Sequence, residues 1–335
     1  MSIRRRSRFS VGLCIAAIGL VGSVFSASLC AASSKKSPAI AARQSAESSP
    51  VDSDSVHIHM RNVVFRVLPN VALNIQRLDG VMVQSRPGQI VSLDDPNSFT
   101  LNMQSADSSI SSRNLSALVN TYILPRAGTP IRDLTMKLNP DQTISVTGTL
   151  HKVIDIPFQA TATVRPTPNG NLRMHFSDMR VGRIIDQSVL DFLGMNVSKF
   201  AQPKNPQAFR VEGNDMVFPI SQMFPPPHVS GKLQSLAILK GRLHFVFGAV
   251  PAPAFAPPNP APNYVFFRGG SMRFGRLTMS PVEMQLVNLK PAGAFDFSLA
   301  QYFKQLVAGY SNSLPSGGLL VHMANYRDVL HRSHK

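Results

Sequence analysis

Tryptophan is absent from the 335 residues, cysteine occurs twice, and acidic residues number 18 against 34 Lys and Arg. Two cysteines are too few for a disulfide-stabilised scaffold. With 44% hydrophobic residues, the chain is too apolar for a fully disordered protein, and its composition argues against a polytopic membrane protein. Charged residues make up only 16%, below the roughly 25% of average soluble domains. Neutral polar residues must therefore cover much of the surface.

The N-terminus has the form of a secretory signal peptide. A positively charged stretch precedes an uncharged apolar run at residues 11–31, which ends in small residues. We therefore predict a signal peptide over residues 1–32 and an exported protein of the periplasm or cell envelope. An uncleaved N-terminal segment that tethers the protein to the membrane is the alternative. Lipidation at Cys30 is a third option, although Leu29 stands where a lipoprotein signal has a small residue.

Cleavage at this point changes both the charge and the thiol content of the chain. It removes four Arg and no acid, so the formal charge falls from +16 to +12. It also removes Cys14 and Cys30, which leaves a mature chain without a thiol. Such a chain suits an oxidising compartment and excludes thiol catalysis and Cys-ligated metals.

Composition divides the remaining chain into five parts. A Ser-, Ala- and Lys-rich flexible tether covers residues 33–55, and a strand-rich domain covers 56–248. A linker with six Pro covers 249–262. A β/α extension at 263–325 is expected to pack on the main domain, and a disordered tail covers 326–335.

Apolar residues at every second position predict an antiparallel, strand-rich fold. The runs that carry this pattern are 56–67, 71–75, 80–84, 98–104, 134–138, 144–150, 157–164, 171–176, 208–211, 216–220, 231–239, 242–248, 264–270, 272–279 and 282–286. Apolar stripes of helical period predict helices from Ser111 or Ser112 to Pro125, at 182–193 and at 298–310. The fold class is therefore α+β, mostly antiparallel, with amphipathic helices that each lie across a long curved sheet. An all-β sandwich with a few packed helices is the alternative.

Several segments resemble one family of bacterial envelope proteins. These are Asn114–Asn120, residues 131–150 ending in Val-Thr-Gly-Thr-Leu, Pro157-Phe158, Gly170-Asn-Leu-Arg-Met, and Pro225-Pro-Pro-His-Val-Ser-Gly-Lys-Leu-Gln-Ser-Leu. Their order, over about residues 62–248, resembles the LmeA-like proteins of the tubular lipid-binding (TULIP) superfamily. The resemblance implies a long curved sheet around a helix, with an apolar groove that holds acyl chains. Residues 264–310 match no part of that pattern.

The apolar helix stripes supply the candidate groove residues. They are Leu115, Leu118, Val119, Tyr122, Ile123, Ile185, Val189, Leu193, Phe303 and Leu306. The other interpretation is that these stripes form an ordinary helix–sheet core. For the last helix, the polar residues Gln301, Lys304 and Gln305 suggest that it could instead lie on a membrane surface.

No motif predicts catalysis, a metal or a cofactor. The chain lacks a nucleophile elbow, a P-loop and a dinucleotide-binding fingerprint. His57 and His59 share one face of a strand, but no third ligand stands at a fitting spacing, so we predict a surface pair.

The basic residues are dispersed, which does not favour nucleic-acid binding. We therefore predict a non-enzymatic envelope protein that binds phospholipid or another hydrophobic ligand for lipid carriage or envelope maintenance. Its basic residues would meet anionic lipid or polysaccharide at a membrane surface. The competing hypotheses are a structural or assembly factor that binds a protein partner, and a hydrolase with an unrecognised site.

Overall fold

Strands dominate the fold, and most of them pair antiparallel. The computed structural model describes residues 55–151, 154–182, 201–248 and 257–332, which fall in a single unit, Ser48–Lys335. The predicted signal peptide, nearly all of the tether and the first part of the linker lie outside the described residues. So does nearly all of the predicted helix at 182–193, with Ile185, Val189 and Leu193.

A large sheet is built around three long strands with alternating buried side chains. On the first strand, Val56, Ile58, Met60 and Val63 are buried while the residues between them are more exposed. The strand order is β12-β13-β4-β2-β1-β14-β17-β20-β19, and β11 and β18 add to β4 and β1. The bounds are β1 Val56–Leu68, β2 Val71–Gln84, β4 Phe99–Ser111, β11 His228–Ser230, β12 Leu233–Leu239, β13 Arg242–Phe247, β14 Tyr264–Gly269, β17 Val282–Asn288, β18 Phe295–Ser298, β19 Tyr310–Ser313 and β20 Leu319–Met323.

Residues beyond the predicted linker complete this sheet. The first half of β1 pairs with β14, from His57 opposite Arg268 to Arg61 opposite Tyr264. The second half pairs in parallel with β18. Asn62, with a φ of 50°, stands where β1 changes partner. The C-terminal extension is therefore part of the main sheet.

Two smaller sheets complete the strands. The six-stranded sheet has the order β5-β6-β7-β8-β10-β9, and a three-stranded sheet joins β16, β15 and β3. Their bounds are β3 Val91–Ser92, β5 Ile131–Leu138, β6 Ile144–His151, β7 Asp155–Pro166, β8 Leu172–Val181, β9 Arg210–Glu212, β10 Asp215–Phe218, β15 Met272–Phe274 and β16 Leu277–Met279.

One continuous helical segment crosses between the two larger sheets. It consists of α1 (Ser112–Leu118), a π-helical turn (Val119–Ile123) and α2 (Leu124–Ala127). The Ser111 hydroxyl caps its start by accepting the Asn114 N–H, and Gly128 ends it with a φ of 64°. The predicted cap is confirmed, and four of the five residues of the predicted stripe, Leu115, Leu118, Val119 and Ile123, are buried, whereas Tyr122 is partly buried.

Polar side chains of this helical segment bind the free edge of β5. The hydroxyls of Ser112 and Ser116 accept the N–H groups of Leu138 and Met136 at 3.1 and 2.8 Å. The Asn120 amide accepts the Leu134 N–H at 2.9 Å and donates to the Leu134 carbonyl at 2.7 Å. We call these three side chains the edge ladder. They satisfy backbone groups that an edge strand otherwise leaves open.

The C-terminal part differs most from the sequence prediction. The helix predicted at 298–310 is shorter, because a 3₁₀ turn (Leu299–Gln301) precedes α3 (Tyr302–Val307) and Tyr310 begins β19. Residues 326–332, predicted as a disordered tail, form α4 (Tyr326–Arg332), with Tyr326 and Val329 buried. Among the described residues, no helix is long and apolar enough to span a bilayer.

Candidate functional site

An apolar cavity of about 80 Å³ lies between the helical segment, the six-stranded sheet and the β12–β13 end of the large sheet. We call it the first cavity. Each described residue that lines it is apolar, and five of these residues are methionines. Methionine is unbranched and adapts to different neighbours. The first cavity can therefore make only apolar contacts through its described lining, and part of that lining can change shape.

Four of the predicted groove residues meet in this cavity, because the helical stripe points into it. They are Leu115, Leu118, Val119 and Ile123. Tyr122 turns away and is bound by Arg126, whose guanidinium donates to the Tyr122 hydroxyl at 2.7 Å. Burial raises the pKa of the Tyr122 phenol, so this bond joins a neutral hydroxyl to a cation.

The other two described candidates lie elsewhere. Phe303 is exposed on α3, and Leu306 is partly buried against the core without lining the first cavity. The prediction grouped them with the groove because their spacing is helical. The structure assigns the inward positions of α3 to other side chains, among them Tyr302 and Gln305.

A second cavity of about 110 Å³ lies on the face of the large sheet formed by β1, β2 and β4. Apolar side chains of these strands line it, and Pro225, Pro226 and Pro227 cover part of it. Arg66 and Ser108 give it a polar edge. Arg66 is held by Asp296 through two hydrogen bonds of 2.6 and 2.9 Å, so its charge is paired inside the fold.

The two cavities adjoin, because Phe224, Phe245 and Phe247 line both of them. The rings of Phe245 and Phe247 lie 6.0 Å apart, edge to face. Apolar space therefore runs from the helical segment to the face of β1, divided by three aromatic side chains.

Size limits what these cavities hold as they stand. A cavity of roughly 150 Å³ lined by aliphatic and aromatic groups accommodates benzene, and both cavities here are smaller. A chain of several methylenes fits only if the lining side chains move apart. Movement of the shared phenylalanines would join the two cavities into one longer space.

The predicted surface pair of histidines is wrong for His59. Its imidazole is largely buried and hydrogen-bonded to Asp79, whose other carboxylate oxygen accepts from the Ser105 hydroxyl at 3.0 Å. The carboxylate lies between the hydroxyl and the imidazole, so His59 cannot take the proton of Ser105. This arrangement differs from a nucleophilic triad, in which the imidazole stands in the middle. Among the described residues, no three His, Asp or Glu side chains group together as a metal site would require.

Sequence reasoning missed most of the lining of both cavities. The alternating strands β5 to β8 did signal one buried face, but which element covers that face depends on contacts distant in sequence. The three shared phenylalanines lie on β13 and before the proline turn, and nothing in their local pattern distinguishes them from core residues.

Comparison with known proteins adds no relative. No family model matches the chain, and neither a curated protein nor a solved structure resembles it closely enough to count as a match.

Proposed function

We propose that this protein is an exported cell-envelope protein that binds phospholipid or another hydrophobic ligand for lipid carriage or envelope maintenance. The observation that carries the proposal is the pair of adjoining apolar cavities with three shared phenylalanines. The N-terminal sequence supports export, and the resemblance to LmeA-like proteins supports a lipid as the ligand. The proposed function needs no catalytic residue.

Burial of methylenes supplies the binding energy in this proposal. Each methylene moved from water into an apolar site contributes about 0.8 kcal/mol. A segment of about ten methylenes therefore contributes on the order of 8 kcal/mol, from which the cost of moving side chains apart is subtracted. Methionines keep that cost low, since they change rotamer without leaving a polar atom unpaired.

Filling the first cavity tests the proposal. Ala160 lines this cavity on β7, whereas Ala162, on the same face of the strand, is buried without lining it. Both Ala160→Leu and Ala162→Leu add the same volume to a packed interior, at a cost of about 1–3 kcal/mol in the free energy of unfolding. Only Ala160→Leu should reduce bound lipid.

The measurement is mass spectrometry of extracts from natively expressed protein, with the melting temperature recorded before and after phospholipid is added. We expect bound lipid and a rise in melting temperature for the natural chain and for Ala162→Leu, and less of both for Ala160→Leu. A natural chain that carries no lipid and gains no stability would overturn the proposal. Capture of a stoichiometric envelope protein by such a lipid-free chain would then support an assembly factor.

A further inference from the structure

The helix α3 is turned so that a polar residue faces the core. Gln305 has no exposed surface. Its amide oxygen accepts the Ser298 N–H at 2.8 Å, and its amide nitrogen donates to the carbonyls of Asp296 and Ala324, both at 2.8 Å. These three bonds satisfy the side chain and fix the rotation of α3 about its axis.

This rotation places two apolar residues of α3 in solvent. Phe303 is 60% exposed and Val307 is 69% exposed. They stand four residues apart on a helix and therefore share one face. Tyr310, 53% exposed, follows directly after α3. We call Phe303, Val307 and Tyr310 the α3 patch. Several exposed apolar side chains close together in sequence mark a contact site more often than a single exposed side chain does, and the Tyr310 ring is fixed by stacking on His322.

The charge on α3 itself is positive. Its residues Tyr302–Val307 include Lys304 and no Asp or Glu, and Asp94, from another segment, reaches α3 at its first residue, where it accepts from the Tyr302 hydroxyl. Lys304 is exposed beside Phe303 on the same helix. A helix face that combines aromatic and aliphatic side chains with a Lys and carries no acid of its own is complementary to anionic headgroups above an apolar layer.

One end of the second cavity lies next to the start of α3. Leu299 and Ala300, in the turn that leads into α3, both line that cavity. Ala300 is also exposed to solvent. A surface that docks at α3 would therefore lie close to this end of the second cavity.

We propose that the α3 patch docks the protein onto an anionic phospholipid membrane. Phe303 and Val307 enter the headgroup boundary, Lys304 meets lipid phosphates, and the cavity end at Ala300 faces the bilayer. The last point rests on the proposed lipid-binding function, whereas membrane docking itself does not.

Co-sedimentation with vesicles tests this docking. The protein should begin at residue 33, because the apolar run at 11–31 would bind vesicles by itself, and this chain retains the whole unit Ser48–Lys335. The vesicles contain phosphatidylcholine alone, or phosphatidylcholine with phosphatidylglycerol. We expect binding to the anionic vesicles that weakens as salt is raised, because salt screens the contribution of Lys304.

A double variant, Phe303→Ser with Val307→Ser, should lower the partition coefficient about tenfold or more, since each side chain loses apolar burial. Lys304→Glu should lower binding to the anionic vesicles alone. The matched control is Ile154→Ser with Leu239→Ser, two comparably exposed apolar residues elsewhere on the surface, and it should bind as the natural chain does. Circular dichroism and melting temperature show that each variant is folded.

Equal vesicle binding by the natural chain and the double variant would overturn the docking proposal, as would absence of binding to anionic vesicles. Self-association or protein binding that is lost in the double variant, without vesicle binding, would also overturn it and assign the patch to a protein interface. Bound lipid, measured separately on the same variants, is expected to stay unchanged. If the double variant loses vesicle binding but keeps its bound lipid, the result supports α3 as the docking site. If no variant and no natural chain carries lipid, the result contradicts the proposed lipid-binding function and leaves the docking result unaffected.

Discussion

Arg66 and Asp296 show how a single contact joins distant parts of this chain. They stand 230 positions apart, on β1 and β18, and form two hydrogen bonds in a buried setting. The Arg66 guanidinium also lies 4.8 Å from the centre of the Tyr326 ring on α4. Removing Asp296 leaves the Arg66 guanidinium buried without a carboxylate, whereas Asp296 also has the Arg327 guanidinium within 3.6 Å.

Replacement of Asp296 tests this contact. Asp296→Ala should lower the free energy of unfolding by about 3–5 kcal/mol, because an unpaired guanidinium would remain inside the protein. The control is Lys290→Ala, which breaks the exposed pair with Asp328 and should cost less than about 1 kcal/mol. Urea denaturation of both variants measures the difference. Equal effects would show that burial does not strengthen the Arg66 contact.

Gln305 and Phe303 show where residue-scale prediction fails. The stripe through Tyr302, Phe303, Leu306 and Val307 indicated an inward apolar face. The structure turns Gln305 inward instead, because backbone groups at Ser298, Asp296 and Ala324 require partners. Hydrophobic periodicity along one helix does not show which backbone N–H and C=O groups of other segments will need a side-chain partner from that helix.

At the scale of elements, the edge ladder couples a helix to a strand through hydrogen bonds. Ser112, Ser116 and Asn120 recur at four-residue steps along the helical segment. Their partners, Leu138, Met136 and Leu134, recur at two-residue steps along β5 in the opposite direction. The ladder therefore specifies both the direction and the register of the helical segment against the sheet.

Removal of the Asn120 amide from the edge ladder should destabilise the protein. Asn120→Ala leaves the N–H and C=O groups of Leu134 without their partners, so the free energy of unfolding should fall by about 1–3 kcal/mol. Thr121→Ala is the neighbouring control, since the exposed Thr121 hydroxyl donates to the Ala117 carbonyl within its own helix. That change should stay within about 0.5 kcal/mol. Thermal unfolding compares the two, and similar values would contradict an energetic contribution from the ladder.

Element prediction succeeded where the pattern is local. The long alternating strands β1, β6 and β7 were predicted to within two residues of their observed bounds, because alternation reports a half-buried strand directly. The strand β8 was predicted to end at 176 and continues to Val181. The two short strands predicted at 71–75 and 80–84 are one strand, β2, since pairing with β1 and β4 continues through the polar residues between them. The strands β18 to β20 were not predicted, as their runs are short and β19 is wholly exposed.

At the scale of the whole molecule, the described C-terminal residues form part of the same core as the main domain. Phe267, Phe295 and Phe297 are among the most deeply buried side chains, and they belong to the main hydrophobic cluster. They come from β14 and β18, the two partners of β1. The segment 263–325 was expected to pack on the main domain. The described part of it also supplies strands to the main sheet.

A truncated chain tests this integration. The fragment 55–248 would expose one edge of β1 along most of its length, together with the apolar face that Phe267, Phe295 and Phe297 cover. We expect it to aggregate and to lose its cooperative unfolding transition. A chain that begins at Ser55 and keeps the C-terminus should unfold cooperatively. Size-exclusion chromatography and circular dichroism distinguish the two, and a monomeric, cooperatively folded 55–248 fragment would contradict the expectation.

The candidate site was only partly predictable, because most of its lining is brought together by segments that are distant in sequence. The helix stripe identified four lining residues, because one amphipathic helix must bury its apolar face. Most of the remaining lining comes from the large sheet, the six-stranded sheet and the turn before Pro225. Which of these residues come together depends on tertiary contacts. An apolar face becomes packed core when the side chains of all these elements fill the space between them, and it lines a cavity when they do not. A pattern within one segment does not contain that total side-chain volume.

The pairing of β1 with β14 and β18 also bears on the rate of folding. The strand made first during synthesis finds both of these partners among residues 264–298, after most of the chain has been made. Contacts of such sequence separation form slowly, because the entropy of closing a long loop is lost before they stabilise the chain. We therefore expect an incomplete chain to lack the pairing of β1 with β14 and β18. For the exported protein that we propose, that delay would keep the large sheet incomplete until the whole chain has crossed the membrane.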